Sequence, residues 1–325
     1  MVLPEEVPYL REALAQPQPV TRSPVATGLV VLAAVVAVVA LPVLWPLTEE
    51  GVAGLIVVAV VAFLLLGAWV AQVSRRRAAR RAAEGLGPEQ IAERVARFRH
   101  AVWLRSRPVT YTKYLGWTIA AVGLCQVVAP ASSIDAAGLV KDAVRAGEWW
   151  RLATAPLLHA GLLHFWMNYV ALFALAQLVE VHAHRAYVPL VFAVSALAGG
   201  VASLLLMPHG TSVGASGGIL GILGFLIVLV RVRPDAFPPD FARALWRSVG
   251  ANAVLGLALF FLIDNAAHAG GLLAGAAMGA ALLMTPGGRA RATAPGRELR
   301  AAGAASLALV GADALFAAAK LFGVA

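Results

Sequence analysis

The chain has 325 residues, of which 60% are hydrophobic and only 13% are charged. Soluble domains carry about 25% charged residues, so this composition excludes an ordinary soluble fold and predicts an all-α polytopic membrane protein. The net charge of +9 does not indicate nucleic acid, because residues 75–113 alone hold eleven Lys or Arg and three acids. Basic residues directly after an apolar span are typical of a cytosolic loop.

Two apolar stretches precede this basic segment. Residues 25–47 and 51–73 are each long enough to cross a bilayer, which takes about 20 residues, and the short link between them fits only a tight turn. We therefore predict an extra transmembrane hairpin over residues 25–73, after a cytosolic tail at residues 1–24 without a short cleavable signal.

The basic segment at residues 74–113 is predicted to be a cytosolic linker. Within it Pro88 stands at a first-turn position of a helix, and Ile91, Val95 and Phe98 follow at helical spacing. This pattern predicts an amphipathic helix that lies on the membrane surface or against the core.

Six further apolar stretches form a predicted core at residues 114–285. Their approximate bounds are 114–131, 162–181, 186–206, 216–230, 245–263 and 264–284. A basic cytosolic linker at residues 286–301 follows. Residues 302–325 are expected to form one more transmembrane helix or an interfacial helix, because Asp313 and Lys320 interrupt the apolar run.

Orientation follows from counting these spans. If residues 74–113 are cytosolic, the later groups of Arg at 185, 231–247 and 289–300 all fall on the same side. The N-terminus is then cytosolic, and the Ala-, Arg- and Gly-rich composition suggests a bacterial plasma membrane. The single cysteine, Cys125, excludes an intrachain disulfide.

Polar groups inside membrane spans are costly, so they are candidates for function. The run Gly214-Ala215-Ser216-Gly217 opens the fourth core span. Its letters fit the nucleophile elbow of soluble α/β-hydrolases, but that motif needs a preceding strand in a soluble sheet, so we reject this interpretation. Unpaired N–H groups at a helix N-terminus can bind an oxyanion, although Gly and Ser are equally typical of close helix packing.

A second cluster surrounds His268 in the sixth core span. A lone His is often only an interior residue, but this one shares a helical stripe with glycines, and the span that begins at Ser216 carries a similar stripe. The glycines are Gly217, Gly221 and Gly224 in the earlier span and Gly271 and Gly275 in the later one. Two glycine-faced helices can approach closely enough to bring a hydroxyl and an imidazole within about 3 Å.

The third cluster comprises His159, His164 and Asn168. The last two are four residues apart, so they share one helix face. Both can donate a hydrogen bond without being charged, which suits an oxyanion, although interhelical hydrogen bonding is the alternative. All three clusters fall near the exoplasmic ends of their helices. Unrelated packing residues have no reason to share one depth, so we interpret the clusters as one site.

These residues resemble the rhomboid family of intramembrane serine proteases over about residues 114–284. The matching motifs are GxSG at Gly214 to Gly217, AHxxGxxxG at Ala267 to Gly275, H-x4-H-x3-N at His159, His164 and Asn168, WR at Trp150-Arg151, and an acidic position at Glu180. The resemblance implies a six-helix core and activity without metal or cofactor on transmembrane protein substrates in the lipid bilayer. Oligomeric state stays open.

The resemblance also implies the site roles. Ser216 would be the nucleophile and His268 the general base, with His164, Asn168 and the backbone N–H of Ser216 stabilising the oxyanion. The residues with implied structural roles are Gly214, Gly217, His159, Arg151, Glu180, Gly271 and Gly275. Asp264, one turn before His268, is expected to cap its helix rather than complete a triad.

One departure is Leu220, where some relatives place an aromatic residue that stacks on the catalytic His, so other groups must orient His268. Another departure is the presence of predicted spans outside the six-helix core, at residues 25–73 and 302–325. A catalytically silent relative that binds transmembrane clients is the first alternative, although such relatives usually lack the Ser or the His. A transporter or channel is the second, but its polar residues would cross both leaflets.

Overall fold

The computed structural model describes residues 87–129, 133–238, 240–260 and 262–324. The predicted N-terminal tail, the transmembrane hairpin and residues 74–86 of the linker lie outside the described residues. The described residues from Arg97 onward form one compact unit.

Helices dominate the described residues, with one pair of very short strands. In chain order the elements are α1 Pro88–Ser106, α2 Tyr111–Val128, α3 Ser133–Ala137, β1 Leu139–Val140, α4 Lys141–Arg145, α5 Arg151–Thr154, α6 Leu162–His182, α7 Tyr187–Leu206, β2 Thr211–Ser212, α8 Ser216–Val232, α9 Phe241–Ala258, α10 Asn265–Leu283, α11 Gly288–Thr293 and α12 Arg297–Leu321. Single 3-10 turns occupy Ala155–Leu157 and Pro234–Ala236.

Local sequence accounts for several helix starts. α1 begins at Pro88, as predicted, and Ile91 and Val95 are buried, but Phe98 is 59% exposed. The apolar face of this helix is therefore narrower than the spacing predicted. Asp264 caps α10 as expected, because its Oδ1 accepts a hydrogen bond from the N–H of Ala267 at 2.9 Å.

Two core helices have bounds that differ from the prediction. α9 ends at Ala258 rather than near residue 263, because the chain must turn before α10 begins. α12 begins at Arg297, five residues before the predicted start at 302. Arg and Glu have good helix propensity, so the helix includes charged residues for which the sequence predicts a linker.

α8 is the central helix of the bundle. Thirteen of its 17 residues are buried, as expected for a helix that is apolar on all sides. It contacts α6, α7 and α10, while α12 contacts α2 and α7. The two strands pair antiparallel, with Leu139 opposite Ser212. They join the long connection between α2 and α6, which we call the first loop, to the segment before Ser216.

Large apolar side chains cover the outer faces of the bundle; Leu162 is 79% exposed and Leu273 is 68% exposed. Such faces suit lipid rather than water. Among the described residues, four segments are long and apolar enough to cross a membrane: α6, α7, α10 and Gly288–Leu321. α8 is apolar but shorter, and membrane crossing by α2, α8 and α9 stays a prediction.

Candidate active site

The segment before Ser216 has a backbone that requires glycine. Gly214 has a φ of +127°, in the left-handed region that side chains rarely adopt. A Cβ at this position would also lie 2.7 Å from Cε1 of the His164 ring. The N–H of Gly214 donates to the carbonyl of Ala155 at 3.0 Å, which fixes the turn that leads into α8.

Ser216 and His268 are in contact. The Oγ of Ser216 lies 2.7 Å from the Nε2 of His268, although 52 residues separate them in sequence. Ser216 is the first residue of α8 and His268 lies in the first turn of α10, and both side chains are half-buried. A neutral imidazole with its proton on Nδ1 can accept the serine proton at this distance.

Close packing of two helix backbones produces this contact. A Cβ added at Gly271 would overlap the carbonyl of Gly217, and one added at Gly275 would overlap the carbonyl of Gly221. Only glycine permits this approach of α8 and α10. Gly217 and Gly221 of α8 therefore lie against Gly271 and Gly275 of α10.

His164 lies beside the nucleophile segment. Its ring packs on Gly214, and its Nδ1 accepts a hydrogen bond from the N–H of Ala160 at 3.3 Å. An accepting Nδ1 leaves the proton of a neutral ring on Nε2. Asn168 is buried one turn further along α6, and its amide donates to the carbonyl of His164 at 2.9 Å.

His159 is 5% exposed, and neither nitrogen of its ring has a hydrogen-bond partner among the described residues. Burial, with a smaller contribution from His164, lowers the pKa of His159 to about 3, so the ring is neutral and packs against His164 and Phe165. The side chain of Gln126 holds its backbone, accepting from the N–H of His159 at 2.8 Å. Sequence reasoning missed Gln126.

Arg151 and Glu180 lie apart from the contact between Ser216 and His268. Arg151 holds the first loop, donating to Glu148 at 2.6 Å and to the carbonyls of Asp135 and Gly138, both at 2.8 Å. Glu180 is near the opposite end of α6 from His164, about 24 Å away along a helix that rises 1.5 Å per residue. Its carboxylate accepts hydrogen bonds from backbone N–H groups at the N-terminus of α2.

A partly buried polar cluster near the site was not predicted from the sequence. Asp264 also accepts hydrogen bonds from the hydroxyls of Ser203 and Ser212, and Lys141 lies beside it. The sequence indicated Asp264 as a cap only. Within the described part of the chain, no group of three or more His, Cys, Asp or Glu is arranged to hold a metal ion.

Leu220 is buried in the core, with 7% exposure. It belongs to the apolar cluster around α8, and no aromatic residue stacks on His268 from this position.

Comparison with known proteins identifies related sequences. Residues 146–285 match the family described as Rhomboid domain. The chain is 32% identical over 146 residues to RHOMBOID-like protein 6, mitochondrial, of Arabidopsis thaliana. It is 33% identical over 139 residues to Rhomboid protease GluP of Bacillus subtilis (strain 168), and 33% identical over 152 residues to RHOMBOID-like protein 5 of Arabidopsis thaliana.

These alignments cover 45%, 42% and 46% of this chain. They cover 48%, 26% and 48% of the respective relatives, so the chain spans about half or less of the length of the proteins it matches. The family match includes the first loop from residue 146 and both Ser216 and His268, but not α2 or α12.

Proposed function

We propose that the chain, whose residues 146–285 match the Rhomboid domain family, is a serine endopeptidase that hydrolyses peptide bonds in or near transmembrane segments of membrane proteins. With its apolar helices, the chain is an integral, multi-pass membrane protein. The observation that carries the proposal is the distance of 2.7 Å between Ser216 Oγ and His268 Nε2.

In the acylation step, Ser216 Oγ attacks the scissile carbonyl while its proton passes to Nε2 of His268. The imidazolium then donates this proton to the leaving amine, and the C–N bond breaks to give an acyl-enzyme. Water attacks the ester in the second half of the reaction, with His268 again as the base. Ser216 is regenerated when its Oγ leaves with the proton.

The developing oxyanion needs donors that are already in place. Ser216 begins α8, so its N–H lies in the first helical turn, where no carbonyl of the same helix can accept. The Nε2 of His164 faces the same segment, and Asn168 follows on the same face of α6. We assign these three groups to the oxyanion; removal of one such donor costs about 10²–10³ in rate.

Hydrolysis also requires water at the site. Ser216, His164 and His268 all lie within the first turn of their helices, so the reaction would take place within about 6 Å of the helix ends. By the distribution of Arg these ends are exoplasmic. The preferred substrate is therefore a transmembrane helix that unwinds near its exoplasmic end.

The test is cleavage of a tagged transmembrane reporter by purified protein in liposomes. Ser216→Ala and His268→Ala are expected to reduce cleavage to background. The matched controls are Ser248→Ala and His209→Ala, because both side chains are exposed, and these variants should cleave like wild type. Cleavage by Ser216→Ala at the wild-type rate would refute the proposal.

A fluorophosphonate probe gives an independent result. It should label wild type at Ser216, and labelling should be lost in His268→Ala because the hydroxyl is then not activated. A silent relative that binds transmembrane clients would show neither labelling nor cleavage.

A further inference from the structure

Lys141 is a buried lysine where the first loop meets the segments of the candidate site. It is 2% exposed, and its Nζ donates to Ser212 Oγ at 2.9 Å and to the carbonyl of His209 at 3.4 Å. The same Nζ lies 4.0 Å from Oδ2 of Asp264. Burial lowers the pKa of Lys141, and Asp264 opposes this shift. A buried ammonium group is costly unless it is paired and hydrogen-bonded.

Asp264 completes this arrangement with both carboxylate oxygens. Its Oδ1 caps α10 through the N–H of Ala267. Its Oδ2 accepts from Ser203, which lies on α7, and from Ser212 at 2.6 Å, which lies on β2. One carboxylate therefore links the start of α10 to α7 and to β2. Lys141, which lies in the first loop, links that loop to the same carboxylate.

The positions of these residues connect the cluster to the reacting atoms. Ser212 stands four residues before Ser216, and Asp264 stands four residues before His268. Lys141 follows β1, whose Leu139 pairs with Ser212. A shift at the cluster would thus change the position of the nucleophile segment relative to the helix that carries the base.

We propose that Lys141 and Asp264 are positioning residues for the reaction between Ser216 and His268. The ammonium group compensates the partly buried carboxylate, which can then bind Ser203, Ser212 and the N-terminus of α10 together. This arrangement fixes the first turn of α10, which carries His268. It is needed because residue 220 is a leucine and provides no aromatic ring to support His268. The inference rests on the proposed function.

Substitutions of Lys141 and Asp264 test this role. Lys141→Met removes the charge while keeping a long unbranched side chain, and Asp264→Asn removes the charge while keeping a good N-cap residue. The double variant removes both. Arg145→Gln is the matched control, because Arg145 lies on the same short helix and donates to the carbonyl of Pro208 at 2.7 Å. Its hydrogen bonds and ion pairs within the described residues go to Asp142, Leu204 and Pro208 rather than to Asp264.

The measurements are the rate of fluorophosphonate labelling, kcat and KM for the reporter, and Tm in detergent. Displacement of catalytic groups by about 1 Å costs about 10²-fold in rate. We therefore expect Lys141→Met and Asp264→Asn to lose about 10²-fold in labelling rate and kcat, with KM changed by less than about threefold. Arg145→Gln should match wild type.

The double variant distinguishes a joint positioning role of Lys141 and Asp264 from a general loss of folded structure. Residues that act as a unit give non-additive losses, so the double variant should lose no more than the worse single variant. Ser212→Ala removes the hydrogen bonds of this hydroxyl to Lys141 and Asp264 but leaves both charges. It should give a smaller loss and covers the case in which Lys141→Met does not fold.

Single variants that react and cleave like Arg145→Gln would overturn the positioning role. So would losses that multiply in the double variant, or losses that follow the fraction unfolded at the assay temperature. An inactive wild type would refute the proposed function, and this role with it. With an active wild type, the variants test the positioning role alone.

Discussion

The Glu180 carboxylate is expected to contribute strongly to the stability of the packing of α2 against α6. It is 8% exposed. Its Oε1 accepts from the N–H groups of Thr110 at 2.5 Å and Tyr111 at 3.0 Å, and its Oε2 accepts from the N–H of Thr112 at 2.7 Å and its hydroxyl at 2.6 Å. The carboxylate thus satisfies the first N–H groups of the helix, which have no partner within it.

The substitution Glu180→Gln should cost about 3 kcal/mol. The new amide nitrogen replaces one oxygen and faces two donors of Thr112, so two charge-assisted hydrogen bonds of about 1.5–3 kcal/mol each are lost. The Thr112 hydroxyl can rotate to accept from the amide and recovers about 1 kcal/mol. For a unit of this size 1 kcal/mol shifts Tm by about 2–4 °C, so we expect a fall of about 6–12 °C.

Thermal unfolding in detergent, followed by tryptophan fluorescence, measures this fall. Thr112→Val, which removes only the hydroxyl, should lose about 1 kcal/mol. Glu298→Gln is the control, because Glu298 is an exposed acid in the first turn of α12, and its Tm should match wild type. A Glu180→Gln variant as stable as Glu298→Gln would refute the reasoning.

Further predictions concern the helix contact, pH and orientation. Gly271→Ala places a methyl group on the Gly217 carbonyl and should reduce probe labelling by more than about 10²-fold. Below about pH 6.5 the unfolded chain binds a proton at His159 that the folded chain excludes until about pH 3. Stability should fall with pH in this window by about 1.4 kcal/mol per unit, and His159→Gln should flatten the fall in Tm. An impermeant maleimide should label His209→Cys in intact cells but Arg289→Cys only after lysis.

Each of these predictions has a control. Gly311→Ala should keep wild-type labelling and an equal or higher Tm. Among the described residues, no heavy atom outside its own stretch of helix lies within 4 Å of the added methyl, and Ala favours helix. His209→Gln should keep the pH dependence of wild type. Maleimide labelling requires a Cys125→Ser background. Gly271→Ala with wild-type reactivity, an unchanged pH slope in His159→Gln, or reversed labelling would each contradict the corresponding prediction.

Sequence reasoning could predict the partners of the candidate site because membrane spans carry few polar residues. Ser216 stands at the start of one predicted span, and His268 lies beside glycines at helical spacing in another. This pattern predicted that the backbones of the two helices pack closely together. The structure places Ser216 Oγ and His268 Nε2 2.7 Å apart. The catalytic roles of the two residues stay a prediction.

The supporting polar cluster could not be predicted in the same way. Lys141 lies on a five-residue helix in a loop, where no periodicity indicates which side is buried. Its partner Asp264 comes 123 residues later, and β1 and β2, which bring the two segments together, are only two residues long. Gln126 was missed because a single polar residue near a helix end is also typical of exposure.

The central position of α8 determines how the bilayer can influence the reaction. Neighbouring helices surround most of the helix that begins with Ser216, whereas α6 and α10 expose apolar side chains such as Leu162 and Leu273. A thinner or thicker membrane therefore acts first on those outer helices. Changes of lipid should alter how readily a client segment reaches the serine, measured as KM, more than the reactivity of the serine towards a small soluble probe.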